Sequence, residues 1–157
     1  MRTARVITAS TRAAAGVYAD RSGPIVVDWL RGRGYEVPDA VVVADGDPVE
    51  AALRAAVADG VHVVITTGGT GITPTDRTPE ATAAVVDFPI PGIADAIRMS
   101  GWPRIPTSVL SRGIAGVAGR TLVVNLPGST GGVRDGLEML GTVLEHAVDQ
   151  VTGGDHA

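Results

Sequence analysis

The sequence predicts an α/β fold in which a mostly parallel sheet lies between two layers of helices. Short apolar runs typical of buried strands alternate with segments whose apolar residues recur at helical spacing. Strands that are apolar along their whole length are typical of parallel sheets covered on both faces. The chain has 157 residues, 45% of them hydrophobic, which is enough apolar material for one packed domain. We therefore expect residues 1–157 to form a single three-layer α/β/α domain.

The strands are predicted from four apolar runs. These runs cover residues 4–8, the end of 36–43, 61–67 and 121–125. Pro38 weakens the start of the second run, because proline has no N–H to donate to a neighbouring strand. The segments 88–92 and 102–107 hold four prolines between them, so we expect turns or short edge strands there.

Helices are predicted over residues 24–33, 48–59, 93–99 and 132–151, with a further helix beginning at Thr78 and a frayed tail at 153–157. Thr78 and Asp47 each precede a proline, and proline favours the first helical position, so we expect both to be N-caps. Asp47 with Glu50 resembles a capping box. Ser22 is also expected to be an N-cap, with phosphate contact as a second possibility. The last helix is expected to be capped by Ser129 or Thr130.

Composition excludes several kinds of chemistry. The chain has no Cys, so it has no disulfide, thiolate zinc site or cysteine nucleophile. All 13 basic residues are Arg, which excludes a Schiff-base lysine and the P-loop lysine. A net charge of -4 and a pI near 5.2 argue against nucleic acid or an anionic membrane as a partner. No apolar run approaches the roughly 20 residues of a membrane helix, and no leader pattern opens the chain, so we expect a cytoplasmic protein.

A glycine-rich loop follows the third predicted strand, with the sequence TTGGTG at residues 66–71. In open α/β sheets, ligands bind beyond the carboxyl ends of the strands, and glycines let backbone N–H groups approach an anion. The loop does not match the P-loop, and Pro74 stands where a dinucleotide fingerprint needs its last glycine. A tight turn without a ligand explains the glycines alone equally well. The candidate binding residues here are Gly68, Gly69, Thr70 and Gly71.

Two carboxylates accompany this loop. Asp76 lies between the glycine loop and the helix that begins at Thr78, where it would repel a phosphate unless a cation lay between them. We therefore predict Asp76 to be a Mg²⁺ ligand. Asp45 follows the second strand at the same edge of the sheet and has no expected capping role, so it is the second candidate for chemistry.

A second loop of the same kind follows the strand at 121–125, with the sequence NLPGSTGG at residues 125–132. It again joins a strand to a helix, and Ser129 or Thr130 is placed to cap that helix or to bind an oxygen. Two such loops at one edge of a sheet would suit a ligand with two phosphorylated parts.

These motifs together resemble the Mog/MoaB family of molybdenum cofactor biosynthesis proteins. The resemblance rests on TTGGTG, on TPTDRTPEAT, on NLPGS and on DRSGP near the start, and it extends from about residue 5 to residue 150. It implies a molybdopterin-binding fold, usually a homotrimer, and a possible partner in the molybdate-insertion enzyme. The implied reaction converts Mg²⁺-ATP and molybdopterin to adenylyl-molybdopterin and pyrophosphate.

The resemblance also implies roles for individual residues. Asp45 and Asp76 match the two essential acidic positions of the family and would be catalytic and hold Mg²⁺. The resemblance implies that the nucleotide is held by Gly68, Gly69, Thr70 and Gly71, and that the pterin side is lined by Asn125, Gly128 and Ser129.

The chain departs from the family pattern at three positions. Thr75 stands where many members have Arg, and Thr130 and Gly131 stand where many have Pro and Lys. Arg77, Arg112 and Arg134 are candidates to supply the missing positive charge. The departures leave open a protein that carries molybdopterin without adenylylating it, and a related nucleotide pyrophosphatase is a third possibility. Metal-dependent ATP binding would distinguish the transferase from a carrier, and nucleotide turnover without pterin would identify a pyrophosphatase.

Overall fold

The computed structural model describes residues 1–154 and is built around one six-stranded sheet. The strands are β1 (Ala4–Ala9), β2 (Val41–Val43), β3 (Val63–Thr67), β4 (Phe88–Pro89), β5 (Ala115–Ala118) and β6 (Thr121–Leu126). Their order across the sheet is β2-β1-β3-β6-β5-β4. The pairs β1–β2, β1–β3 and β3–β6 are parallel, whereas β5 runs antiparallel to both β6 and β4. The predicted mostly parallel sheet is confirmed.

Strand β5 was not predicted, because its four residues, AGVA, carry little apolar signal. The glycine in this strand is explained by its neighbour: a Cβ on Gly116 would lie 2.6 Å from the carbonyl oxygen of Phe88 on β4. Strand β4 is a two-residue edge strand, in agreement with the expectation for the proline-rich segment 88–92.

The helices are α1 (Thr11–Ala14), α2 (Ser22–Gly32), α3 (Asp47–Ala58), α4 (Thr78–Ala83), α5 (Pro91–Met99), a 3-10 helix (Pro106–Leu110), α6 (Thr130–Leu140) and α7 (Leu144–Val151). The prediction of one closing helix over 132–151 is wrong. Gly141 ends α6, and the break lets Leu144 and Val148 of α7 turn into the core. Among the described residues, none of these helices has the length and apolarity to cross a bilayer.

The tail differs in part from the expectation of fraying. The N–H groups of Gly153 and Gly154 donate to the carbonyls of Gln150 and Asp149 and so continue the end of α7. Residues 155–157 lie outside the described part of the chain.

The sheet separates two apolar clusters, which makes the fold three-layered. On one face, Val6, Ile65 and Val124 of the sheet pack against α2, α5, α6 and α7. On the other face, Val64 and Val123 pack against α3 and α4. Alternate residues of one strand therefore enter opposite cores, as the continuous apolar strands predicted.

Two of the predicted N-caps are wrong because each residue lies within the first turn of its helix. Ser22 lies in the first turn of α2, and Asp20 accepts a hydrogen bond from the N–H of Gly23 at 3.0 Å. Asp47 lies in the first turn of α3, and Gly46 occupies the N-cap position with a φ of +97°. That conformation is one that glycine adopts readily.

Thr78 is likewise not an N-cap, because α4 begins against distant parts of the chain. Arg77 holds the N-cap position, and its N–H donates to Asp45 Oδ1 at 2.9 Å. The N–H of Thr78 donates to the carbonyl of Gly69 at 3.1 Å. Ser129 does cap α6, accepting a hydrogen bond from the N–H of Gly132 at 3.1 Å, which confirms that expectation.

Candidate active site

Two adjoining cavities lie at the edge where the parallel strands end. The first, of about 630 Å³, lies beyond β1 and β3, where the order of strands along the chain changes direction across the sheet. Such a switch point is where ligands bind in open α/β sheets. It is lined by residues 8–13, 18–22, 67–69, Asp45, Thr75, Asp76, Gly128 and Thr130.

The second cavity, of about 540 Å³, lies against the loop after β6, the end of α5 and the 3-10 helix. Its lining mixes apolar residues such as Ile97 and Leu110 with the hydroxyl of Ser111. Gly69, Asp76 and Gly128 line both cavities and form the wall between them. Ligands in the two cavities would therefore meet at this wall.

The glycine loop allows the chain to pass close to Asp45. Gly68 and Gly69 have φ values of +89° and +68°, which L side chains rarely adopt. A Cβ on Gly69 would lie 2.5 Å from Asp45 Oδ2 and closer still to Thr78 Oγ1. A Cβ on Gly68 would collide with the carbonyl of Ala9. Both glycines are required here by geometry.

Asp45 is held by backbone donors at the start of α4 and α3. Its Oδ1 accepts the N–H of Arg77 at 2.9 Å. Burial raises the pKa of the Asp45 carboxyl above its ordinary value, and the charges of Asp76 and Glu80 raise it further, while hydrogen bonds from the N–H groups of Arg77 and Gly46 act in the opposite direction. The carboxylate thus lies in a region of negative charge that a cation would relieve.

Asp76 lies in a turn at the wall between the cavities. Its Oδ2 accepts the N–H of Thr73 at 3.0 Å, and its own N–H donates to the carbonyl of Thr73 at 3.0 Å. The structure thus brings Asp45 and Asp76 to one cavity. Within residues 1–154, no group of three His, Cys, Asp or Glu side chains is arranged to hold a metal. Two carboxylates in one cavity fit Mg²⁺, which commonly takes its remaining ligands from water and phosphate.

Two arginines that the sequence did not identify as sources of positive charge line the first cavity. Arg12 and Arg21 line the cavity, and within the described residues neither side chain has a hydrogen bond or ion pair. Arg98 and Arg104 line the second cavity but are paired with Asp95 and Asp135. The available signal for Arg12 was its position directly after the polar end of β1.

The three arginines that the sequence offered as sources of charge do not line either cavity. Arg77 and Arg134 are exposed outside them. Arg112 forms an ion pair with Glu80 at 2.7 Å and donates to backbone carbonyls. The expectation that these three residues bring positive charge into the cavities is therefore wrong, and Arg12 and Arg21 line the first cavity instead.

Asn125 does not line a cavity, although the family resemblance implied that it contacts the pterin. It is 3% exposed and lines neither cavity. Its Oδ1 accepts the N–H of Ile114 at 3.1 Å, and its Nδ2 donates to Thr66 Oγ1 and Thr82 Oγ1 at 2.9 and 3.0 Å. The side-chain amide therefore joins β6, β3 and α4 beneath the cavities.

The remaining predicted residues divide between the two cavities. Ser22 and Gly68 line the first, and the Oγ of Ser22 donates to the carbonyl of Gly128 at 2.7 Å. The second is lined by Thr70, Gly71 and Ser129. The glycine loop thus borders both cavities and not one alone.

Comparison with known proteins matches residues 5–146 to a family described as "Probable molybdopterin binding domain". A molybdenum cofactor biosynthesis bifunctional protein from Synechococcus elongatus is 41% identical over 154 residues, which are 98% of this chain and 48% of that protein. The chain thus spans about half the length of this relative. A molybdopterin adenylyltransferase from Helicobacter pylori strain J99 is 35% identical over 152 residues, covering 94% of this chain and 86% of that protein. The structure of the molybdopterin biosynthesis Mog protein from Mycobacterium ulcerans matches with a TM-score of 0.93 and 61% identity, covering 96% and 99% of the two chains. The predicted molybdopterin-binding fold is confirmed.

Proposed function

We propose that this chain, which belongs to the Mog/MoaB family of molybdopterin-binding proteins, is a molybdopterin adenylyltransferase. The observation that carries the proposal is the pair of cavities that share Asp76 and Gly69. A transferase that joins two phosphorylated substrates needs both phosphates at one place, and the shared wall offers that place. The names of relatives such as the Helicobacter pylori enzyme support the same activity.

The first cavity suits the polyphosphate of ATP. Arg12 and Arg21 have free guanidinium groups there, and the buried hydroxyl of Thr67 lacks a hydrogen-bond partner among the described residues. Helices α2 and α6 also begin at this cavity, through Ser22 and Thr130, and helix N-termini favour anions. These features supply the positive charge that the motif positions Thr75, Thr130 and Gly131 lack.

The second cavity suits molybdopterin. It has apolar walls at Ile97, Ile105 and Leu110 for a flat ring, and hydroxyls at Ser111 and Ser129 for polar contacts. Small-molecule sites commonly combine apolar walls with a few placed polar groups. The phosphate of molybdopterin would then point toward the shared wall and toward ATP.

In the proposed reaction, a phosphate oxygen of molybdopterin forms a bond to the α-phosphorus of ATP. The bond from the α-phosphorus to the bridging oxygen breaks, and pyrophosphate leaves with that electron pair. The nucleophile is already an anion at neutral pH, so the absence of Lys and Cys is no obstacle. Catalysis then depends on holding two polyanions together, through positioning and charge neutralisation.

Asp45 and Asp76 would hold Mg²⁺ at the shared wall. When bound, the ion would neutralise part of the charge of the two substrates as they approach. The protein's own contribution is to fix both carboxylates through the N–H groups of Arg77 and Thr73.

The test is to incubate the protein with molybdopterin, ATP and Mg²⁺ and to follow adenylyl-molybdopterin and pyrophosphate. We expect product with the wild type and none with Asp76→Asn, which keeps the shape of the side chain but removes its charge. The alternative is a protein that carries molybdopterin without adenylylating it, motivated by the missing cations at Thr75, Thr130 and Gly131. Tight pterin binding with no product and no metal-dependent ATP binding would establish the carrier. Pyrophosphate release from nucleotide without pterin would indicate a pyrophosphatase.

We also propose a homotrimer that works in the cytoplasm and passes its product to the molybdate-insertion enzyme, as the family resemblance implies. Exposed apolar side chains such as Phe88 and Trp102, 55% and 47% exposed, support an interface between chains. Light scattering after size exclusion tests the trimer, whose mass would be about three times the 15.9 kDa of one chain.

A further inference from the structure

Arg112 forms several hydrogen bonds and an ion pair with the part of the chain around Asp76. Its Nε donates to the carbonyl of Gly71 at 2.9 Å, and its Nη2 donates to the carbonyl of Asp76 at 2.8 Å. The same guanidinium makes a two-pronged contact with the carboxylate of Glu80, at 2.7 and 3.2 Å. Its backbone N–H donates to the carbonyl of Thr70 at 2.7 Å. One side chain therefore joins both ends of the segment 71–76 to the first turn of α4.

Arg112 is itself held by a second arginine. The Nη1 of Arg98, on α5, donates to the carbonyls of Ser111 and Gly113, the neighbours of Arg112 on either side, at 3.3 and 2.6 Å. Asp95 anchors the other end of the Arg98 guanidinium at 2.8 Å. The contacts form a chain from α5 to the turn at 111–113 and on to the wall between the cavities.

We propose that Arg112 is a positioning residue that fixes Asp76 and Gly71 at the wall, and that Arg98 fixes the turn that carries Arg112. A guanidinium presents its donors in a rigid plane, so it fixes the relative positions of several oxygens at once. A lysine has one donor atom on a flexible stem and cannot reproduce this arrangement.

General stabilisation does not account for the ion pair of Arg112 with Glu80. The side chains of Arg112 and Glu80 are each 39% exposed, and exposed ion pairs contribute little to folding stability. All five hydrogen bonds made by Arg112 end between Thr70 and Glu80, the stretch of chain that carries Asp76, which places their effect on the geometry of Asp76.

The test compares Arg112→Gln and Arg112→Lys with Arg54→Gln as a matched control. Arg54 also pairs with a carboxylate, Glu50, and donates to a carbonyl, that of Ala84, but it lies on α3 away from the cavities. In the presence of a non-hydrolysable ATP analogue, we expect Arg112→Gln to weaken Mn²⁺ binding about 10-fold, as loss of groups supporting metal ligands does. We expect Arg112→Lys to lie between Gln and wild type, and Arg54→Gln to leave Mn²⁺ binding unchanged.

Two further measurements separate positioning from folding. Hydrogen exchange of the segment 71–77, measured without turnover, is expected to quicken in Arg112→Gln and, to a smaller degree, in Arg98→Gln. In the transfer assay, kcat is expected to fall about 100-fold while the KM for ATP changes much less, because a displacement of about 1 Å at the reacting groups has that effect. The kcat part rests on the proposed transfer and the Mn²⁺ part on the proposed metal site, whereas the exchange measurement rests on neither.

A merely structural role for Arg112 predicts a different pattern. The folded fraction would fall, but the folded molecules would bind Mn²⁺ with wild-type affinity, and Arg54→Gln would behave in the same way. Mn²⁺ affinity and exchange within twofold of the wild type in Arg112→Gln would overturn the proposal. Should the Gln variant not fold, the same criteria apply to Arg112→Lys and Arg98→Gln. An inactive wild type whose Arg112 variants still lose Mn²⁺ binding would refute the transferase and leave the positioning role in place.

Discussion

Replacing Gly69 with alanine tests the claim that the glycine loop allows the chain to pass close to Asp45. The added Cβ would lie 2.5 Å from Asp45 Oδ2, whereas ordinary contact begins at 3.4 Å. The carboxylate, or the loop itself, would therefore have to move by about 0.9 Å. The added Cβ would lie closer still to the hydroxyl of Thr78, whose side chain is fully buried.

The size of the effect follows from this displacement. A shift of about 1 Å between reacting groups lowers a rate about 100-fold, so we expect kcat of Gly69→Ala to fall by about that factor. The φ of +68° adds a conformational penalty of about 1–2 kcal/mol for any residue with a Cβ. This penalty alone would lower the melting temperature of a domain of this size by roughly 2–8 °C.

Gly60→Ala is the control that separates the two effects. Gly60 has a φ of +73°, and a Cβ there would meet nothing within 4 Å. It therefore carries the conformational penalty without a collision at the site. Both variants are assayed for adenylyl transfer and for unfolding by urea. Transfer by Gly69→Ala within about threefold of Gly60→Ala would refute the reasoning, because the collision would then have no effect on Asp45.

Three further predictions follow from other contacts. Asp45→Asn is expected to abolish transfer but to stabilise the metal-free protein at neutral pH. Folding raises the pKa of Asp45, so its carboxyl contributes stability only while it is protonated. That stability is lost as the pH rises through the pKa of the folded state. Urea unfolding across pH measures this, and a wild-type disadvantage that persists below about pH 3.9, the ordinary Asp value, would contradict it. Arg12→Gln and Arg21→Gln are each expected to raise the KM for ATP about 10-fold, because a charge-assisted hydrogen bond is lost. The KM for molybdopterin is expected to change little. Equal effects on both substrates would contradict the placing of these arginines at the ATP site. Asn125→Ala is expected to lower the free energy of unfolding by about 2–4 kcal/mol, because a buried N–H and two hydroxyls lose their partner, and a loss below about 1 kcal/mol in urea unfolding would contradict it.

The parts of the structure that sequence reasoning predicted are those with strong local patterns. The apolar runs of β1, β3 and β6 identify buried parallel strands, and the rule that ligands bind beyond their carboxyl ends locates the cavities. The pairing of Asp45 with Asp76 follows from the same rule, since both residues come after strands of one sheet. In these cases the chain's local chemistry and the fold agree.

The parts that were wrong or missed depend on contacts between distant segments. Thr78 has the sequence context of an N-cap, but Arg77 holds that position. The N–H of Arg77, the residue before Thr78, donates to the carboxylate of Asp45, which lies 33 positions before Thr78 in the chain. Asn125 looks like a ligand contact, yet its amide is consumed by Thr66, Thr82 and Ile114. No pattern within a single segment encodes such pairings, because each partner alone has an ordinary local role.

The wall shared by the two cavities has a consequence for the life of the product. On the proposed function, adenylyl-molybdopterin is one molecule with a part in each cavity, so it binds as a bivalent ligand. When one part dissociates, the other keeps it at a high effective concentration, and rebinding precedes escape. Chemistry would then be followed by slow release, and a downstream enzyme that competes for only one of the two parts would be enough to draw the molecule away.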